Sequence, residues 1–271
     1  MSQHIPVSAK PRVCAVSFLN TVPLVWGMLH GTEQHLFDLQ FALPAVCADR
    51  LANGAADIGI VPVIEIPRLE LAVAYGTGIA CRGPVRSILL ISKVPIAQIR
   101  TLATDTSSRT SVQLARIILE RKYGVRPTLI PLPPALPAML GAADAALVIG
   151  DPALHIDPAS LPFEVLDLGA EWFDLTGLPF VFAAWAGRPE SMNDDVAAQL
   201  DESCRFGLSH IDDIVREESP RRGLPESLVH EYLTRSIVFQ LGPPEYDAMR
   251  LFLEYAGYKD SLRIAGTISV L

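Results

Sequence analysis

Charge, cysteine and long apolar runs are all scarce in this 271-residue chain, and each scarcity removes a class of function. Only 19% of residues are charged and the formal net charge is −8. With no Lys/Arg block or basic stripe, a nucleic-acid partner is not expected. Four cysteines, Cys14, Cys47, Cys81 and Cys204, show neither CxxC spacing nor a dense framework. Free thiols in a reducing compartment are therefore expected, and a zinc site is not. No apolar run reaches the length of a membrane span, and Met1–Lys10 holds no leader-like apolar segment. The expected location is the cytoplasm, with no membrane partner. Gly-x-Ser-x-Gly, P-loop and Gly-x-Gly-x-x-Gly motifs are missing too, so hydrolase, NTPase and NAD-enzyme readings have no support and no cofactor is expected. Among the histidines only His155, near Asp151, falls by a cleft motif.

What is present is apolar sequence, 50% of the chain, arranged in alternation. Strand-like runs at Arg12–Phe18, Leu39–Leu43 and Asp57–Val61 are separated by helical patterns. Leu71–Tyr75 and Arg86–Ser92 come next, divided by Gly76-Thr77-Gly78 and Cys81-Arg82-Gly83-Pro84. The pattern restarts with strands at Thr101–Ala103, Thr128–Leu132 and Ala145–Ile149. Gly-Ala-Ala-Asp stands at 54–57 and again at 141–144, each time before the third strand of its half. A last strand, Pro179–Ala186, leads into a helical tail. This order predicts an α/β clamshell of two lobes with mostly parallel sheets and a helical C-terminal tail. The expected first lobe is 1–92 with 187–271 and the second is 93–186, joined by crossings at 86–92 and 179–186. A small-molecule ligand would sit between them.

In such a clamshell the loops after strands line the cleft. The most polar of them is Thr104-Asp105-Thr106-Ser107-Ser108-Arg109-Thr110-Ser111, a strand-to-helix turn. The expected helix runs from Ser108 to Tyr123 and is closed by Gly124. Free N–H groups and the positive end of the dipole would draw an anion there, beside hydroxyls and a guanidinium. An ordinary N-cap is the other reading, although the run holds more polar side chains than one cap uses. The remaining cleft loops are Ser17–Asn20, Val61-Pro62, Gly83–Ser87 and Gly150–Pro152. Asn20 is either a donor to a substrate oxygen or a plain N-cap. Arg86 and Ser87 read as cleft residues or as a surface charge and a turn residue. Asp151 reads as an acid/base group or as a cap for the segment after Pro152.

Six words in fixed order carry a resemblance: Ser17–Leu24, Asp57–Val63, Gly83–Lys93, Thr104–Ser111, Leu147–Leu154 and Thr176–Ala186. The series resembles the MqnA family, the chorismate dehydratases of the futalosine route to menaquinone, from about Arg12 to Ala186 and more weakly through the tail. The resemblance implies the fold of type II periplasmic binding proteins and a cytoplasmic lyase. Its reaction would be loss of water from chorismate to give 3-[(1-carboxyvinyl)oxy]benzoate, without metal or redox cofactor. It implies Asn20 and Ser87 at the reacting centre and Thr106, Ser107, Ser108 and Arg109 as a carboxylate cradle, with Asp151 bordering the cleft. Ser17, Gly83, Arg86, Thr110 and Gly150 complete the expected substrate contacts. The base stays open between the substrate's own enolpyruvyl carboxylate and Asp151 or Glu65. Competing readings are a cytoplasmic binding protein for a small carboxylate and the sister enzyme 1,4-dihydroxy-6-naphthoate synthase. The Thr-Asp-Thr-Ser-Ser-Arg-Thr run fits the dehydratase better.

Overall fold

A computed structural model describes residues 10–265. Residues 1–9, which hold most of the segment expected to lack a leader, and 266–271 lie outside them. The chain opens with β1 (Arg12–Val16), α1 (Val22–His30), β2 (Asp38–Ala42), α2 (Pro44–Ala52) and β3 (Ile58–Pro62). β3 is apolar and buried along its whole length, as a strand covered on both faces must be. A short α3 (Glu65–Arg68) and a long β4 (Ala72–Cys81) come after it. The second half runs β5 (Ile88–Ser92), β6 (Thr101–Asp105), α4 (Thr110–Tyr123), β7 (Thr128–Leu132), α5 (Leu136–Ala142) and β8 (Ala145–Ile149). It continues through α6 (Asp151–Leu154), β9 (Glu164–Asp167), α7 (Leu168–Thr176) and β10 (Phe180–Gly187). The tail is α8 (Asp194–Ser209), α9 (Ile211–Arg222), α10 (Glu226–Glu231), β11 (Val238–Gln240), α11 (Pro243–Tyr255) and β12 (Arg263–Ala265).

The strands form two sheets. A seven-stranded sheet has the order β11-β4-β10-β3-β1-β2, with β12 also on β4, and a five-stranded sheet has the order β7-β6-β8-β5-β9. Parallel pairing is confined largely to the centres: β1 lies between β2 and β3, and β6 between β7 and β8. Beyond these centres β10 runs antiparallel to β3 and β5 antiparallel to β8, so the sheets are mixed rather than mostly parallel. This moves the expected boundaries. Chain order puts β5 in the first lobe and β10 in the second, but hydrogen bonding puts β5 in the five-stranded sheet and β10 in the seven-stranded one. The connections between sheets are therefore residues 82–87 and 177–179, and each lobe borrows its fourth strand from the other half of the chain.

Local chemistry explains several elements. In the repeated word, Asp57 accepts the Arg12 N–H at 2.9 Å, while Asp144 accepts those of Arg100 at 2.9 Å and Thr101 at 3.0 Å. Each aspartate thus anchors the start of its lobe's central parallel strand. β4 continues through Gly76–Gly78, where a break is expected from the sequence, because it is flanked by β10 and β11 with no room for a side chain at Gly78. A Cβ there would lie 2.8 Å from the Ala183 carbonyl. β9 and α7 have no clear signal in the sequence, since β9 is four residues long and incompletely buried. In the tail, α8 packs on α1, and the buried Ser203 hydroxyl donates to the Leu24 carbonyl at 2.9 Å. All four cysteines are free and buried.

Candidate functional site

The two lobes meet around a small cavity of about 60 Å³ that opens to solvent. The first lobe contributes Phe18, Asn20, Pro44, Pro62 and Phe182, the outward connection contributes Ser87, and the second lobe contributes Ser108–Ser111 and Gly150. No Asp, Glu or His side chain is among the residues that line it.

Asn20 sits on the single helical turn after β1, and that turn is held from across the cleft. The Leu19 N–H donates to the Asp151 carboxylate at 2.9 Å. Asp151 also receives the Arg222 guanidinium, which in turn bonds Glu218 at 2.9 Å. Burial raises the Asp151 carboxyl above its ordinary pKa, and Arg222 opposes that shift. Asp151 is thus neither the cap of α6 nor a wall of the cavity. It ties the lobes together. Gly150 precedes it with φ +64°, and a Cβ there would meet the Phe18 ring at 2.6 Å.

Ser87 is buried and is presented by a strained residue. Arg86 has φ +69°, a left-handed conformation that an L side chain rarely adopts. The Asp167 carboxylate holds it there by accepting the N–H groups of Val85 at 3.0 Å and Arg86 at 2.6 Å. The Arg86 guanidinium points away and donates to the carbonyls of Ala153 and Ile156. The Ser87 carbonyl accepts the Gly150 N–H at 2.8 Å. Between the two candidates stands Tyr232, whose hydroxyl accepts from Asn20 Nδ2 at 3.1 Å and donates to Ser87 Oγ at 2.8 Å. The Asn20 Oδ1 atom is buried and unpartnered among the described residues.

On the opposite wall the expected cradle is shifted along the chain. Asp105 draws in the N–H and hydroxyl of Ser107 at 2.8 and 2.7 Å, so Ser107 faces its own turn and Thr106 lies exposed. The cavity is lined from Ser108 onward, at the first turn of α4, where N–H groups lack intrahelical acceptors. Ser108 Oγ accepts from the Ser111 N–H at 3.3 Å. Arg109 borders the cavity, yet its guanidinium is shared between Glu65 at 3.0 Å and Asp49 at 2.9 Å. Thr110 Oγ1 accepts the Ile64 N–H from the other lobe at 3.4 Å, and the Ala45 N–H reaches the Ser107 carbonyl at 3.1 Å.

Of the expected contacts, Asn20, Ser87, Ser108, Arg109, Thr110 and Gly150 are brought together; Ser17, Gly83, Arg86, Thr106, Ser107 and Asp151 lie outside the cavity lining. Ser17 is exposed, with its carbonyl on Arg222, and Gly83 belongs to the connection. Glu65 is occupied by Arg68 and Arg109, and His155 is exposed. Phe18, Ser111, Phe182 and Tyr232 carry the site's apolar walls and internal bonding, and none of them is singled out as a substrate contact on sequence grounds. Phe18 and Ser111 have a signal there, one in the loop after the first strand and the other at the end of the hydroxyl run.

Comparison with known proteins sets this geometry in a family. A chorismate dehydratase from Thermus thermophilus is 32% identical over 258 residues, covering 89% of this chain and 93% of that protein. A crystal structure of a protein from Archaeoglobus fulgidus superposes with a TM-score of 0.75 at 17% identity, covering 93% of this chain and 98% of the other. The periplasmic aliphatic sulphonate binding protein from Escherichia coli superposes with a TM-score of 0.60 at 16% identity, covering 93% and 89%. The fold is that of the periplasmic binding proteins. Among the described residues, no helix is long and apolar enough to cross a membrane. Residues 11–258 match the family described as menaquinone biosynthesis, and the chain belongs to that family.

Proposed function

We propose that this chain dehydrates chorismate to 3-[(1-carboxyvinyl)oxy]benzoate, binding it in the cavity between the lobes. One observation carries the proposal. In a chain 32% identical to a chorismate dehydratase, Asn20 and Ser87 come together through Tyr232 on the cavity wall opposite the first turn of α4. Chorismate is a dicarboxylate, and Ser108, Thr110 and Ser111 with the N–H groups around them supply donors for one carboxylate. Arg109 adds little net charge, because Glu65 and Asp49 already neutralise it.

The reaction removes the proton from the ring carbon bearing the enolpyruvyl ether and expels the neighbouring hydroxyl. Proton and hydroxide leave as one water, and the ring becomes aromatic. Enzymatic work is then orientation, proton transfer and stabilisation of the departing oxygen. The base is the substrate's own enolpyruvyl carboxylate. In support, Glu65 and Asp151 are bound to arginines and neither lines the cavity. The reaction belongs to the futalosine route and to the cytoplasm; four free thiols fit a reducing compartment.

The test is direct. Purified protein given chorismate alone should yield a product lighter by one water with a benzoate spectrum; unchanged chorismate would overturn the proposal. Glu65→Gln and Asp151→Asn should each keep turnover within about tenfold of the parent, whereas loss of a true general base removes about 10²–10⁴-fold.

A further inference from the structure

Asn20 and Ser87 stand on different loops, and either side chain by itself is ambiguous. An amide can turn its oxygen or its nitrogen toward a ligand, and a hydroxyl can rotate among staggered positions. What removes the ambiguity is Tyr232. It opens a π-helical turn, Tyr232–Ser236, at the end of α10, an irregularity that tends to accompany functional sites. The side chain is only 1% exposed and its hydroxyl touches both partners.

Hydrogen-bond direction does the rest. Asn20 spends an Nδ2 proton on the phenol oxygen, and the phenol spends its own proton on Ser87 Oγ. Asn20 Oδ1 is therefore turned elsewhere, buried and without a partner among the described residues. Ser87 Oγ, already accepting, has its own proton free to donate. We infer that Tyr232 is a positioning residue that sets the polarity of the catalytic pair, making Asn20 an acceptor and Ser87 a donor toward the substrate. This rests on the proposed roles of Asn20 and Ser87.

The polarity suits a departing hydroxyl. Such a group has one proton to give to Asn20 Oδ1 and lone pairs to receive the Ser87 proton. As the carbon–oxygen bond breaks and negative charge grows on the oxygen, the Ser87 bond strengthens in the transition state more than in the ground state. Burial drives the phenol pKa upward, so Tyr232 keeps its proton and the relay keeps its direction across the working pH range. The substrate class this favours is a cyclohexadienol whose free hydroxyl can both give and take a hydrogen bond.

Tyr232→Phe preserves the ring and deletes only the relay. Turnover should fall by about 10–100-fold with KM within about twofold, the penalty of misaligned reacting groups. Tyr246→Phe serves as the control, because its buried hydroxyl accepts the Gly76 N–H at 2.9 Å and does not touch Asn20 or Ser87. It should lower Tm comparably and leave kcat unchanged. In a Ser87→Ala background, Tyr232→Phe should cost less than about threefold more, since coupled groups are non-additive. Asn20→Asp, which replaces the donor by an acceptor and turns the phenol away from Ser87, should lose turnover as Tyr232→Phe does. Full turnover in Tyr232→Phe or Asn20→Asp with an impaired Ser87→Ala would overturn the positioning role alone, as would additive losses in the double variant. Full turnover in both Ser87→Ala and Asn20→Ala would instead overturn the roles of the pair.

Discussion

The two lobes share a plan and differ at one turn. In each, a central strand lies between two parallel neighbours, an antiparallel strand borrowed from the other half adjoins them, and an aspartate pins the central strand's first residues. The difference comes where that strand ends. After β1 the chain makes a single helical turn bearing Asn20, and after β6 an aspartate folds the loop back so that hydroxyls open α4. Strand ends and helix N-termini converge on one cleft in both lobes. A neutral amide on one side and a row of hydroxyls and N–H groups on the other divide the labour there. In the proposed reaction the first turn would serve the bond that breaks, and the second the charge that is held.

Variants can break that division. The largest effect is expected from Asn20→Ala and Ser87→Ala, each lowering kcat by about 10²–10³-fold, the scale of losing one hydrogen-bond partner of the departing oxygen. KM should change only a few-fold, as steady-state assays on chorismate would show. Next comes the second lobe. Ser108→Ala with Ser111→Ala should raise KM by about tenfold, the scale of hydrogen bonds to a charged group, and spare kcat. A kcat loss there that matches the first lobe's would erase the contrast.

The smallest effect concerns the shared aspartates. The Arg12 guanidinium holds Asp57 below the ordinary carboxyl pKa, and the Arg100 N–H does the same for Asp144. A depressed folded pKa stabilises above the unfolded value of about 3.9 and loses that stabilisation as pH falls through the folded one. Asp57→Asn and Asp144→Asn should each lower Tm at pH 7 by about 2–4 °C. Each should also flatten the loss of Tm between pH 5 and pH 3 relative to the parent. Calorimetry across that range would reveal whether the two lobes are anchored alike.

Much of this architecture is legible along the chain, because it depends on neighbours. Apolar runs bounded by turn residues mark β3, β7 and β8, and the repeated Gly-Ala-Ala-Asp marks equivalent places in the two halves. The hydroxyl run marks the start of α4 to within two residues. Pairing is what the chain order hides. β5 and β10 look like links between lobes because a strand's sheet is decided by hydrogen bonds to partners far along the chain. The same limit applies to polar groups. Asp151, Arg86 and Glu65 have the right chemistry for a cleft, and each is spent on distant backbone or an ion pair.

By itself the sequence determined most of the elements, the two-fold order of strands and helices, and the donor-rich ends that face a cleft. Those come from periodicity and turn chemistry, which act over a few residues. Only the tertiary structure decided which strand joins which sheet, that the lobes are tied through Asp151 and Arg109, and that Tyr232 stands between Asn20 and Ser87. A tyrosine from the tail meets two loops from the first third of the chain only once both lobes and the tail have packed. No local signal announces such a meeting, because the energy that fixes it is tertiary.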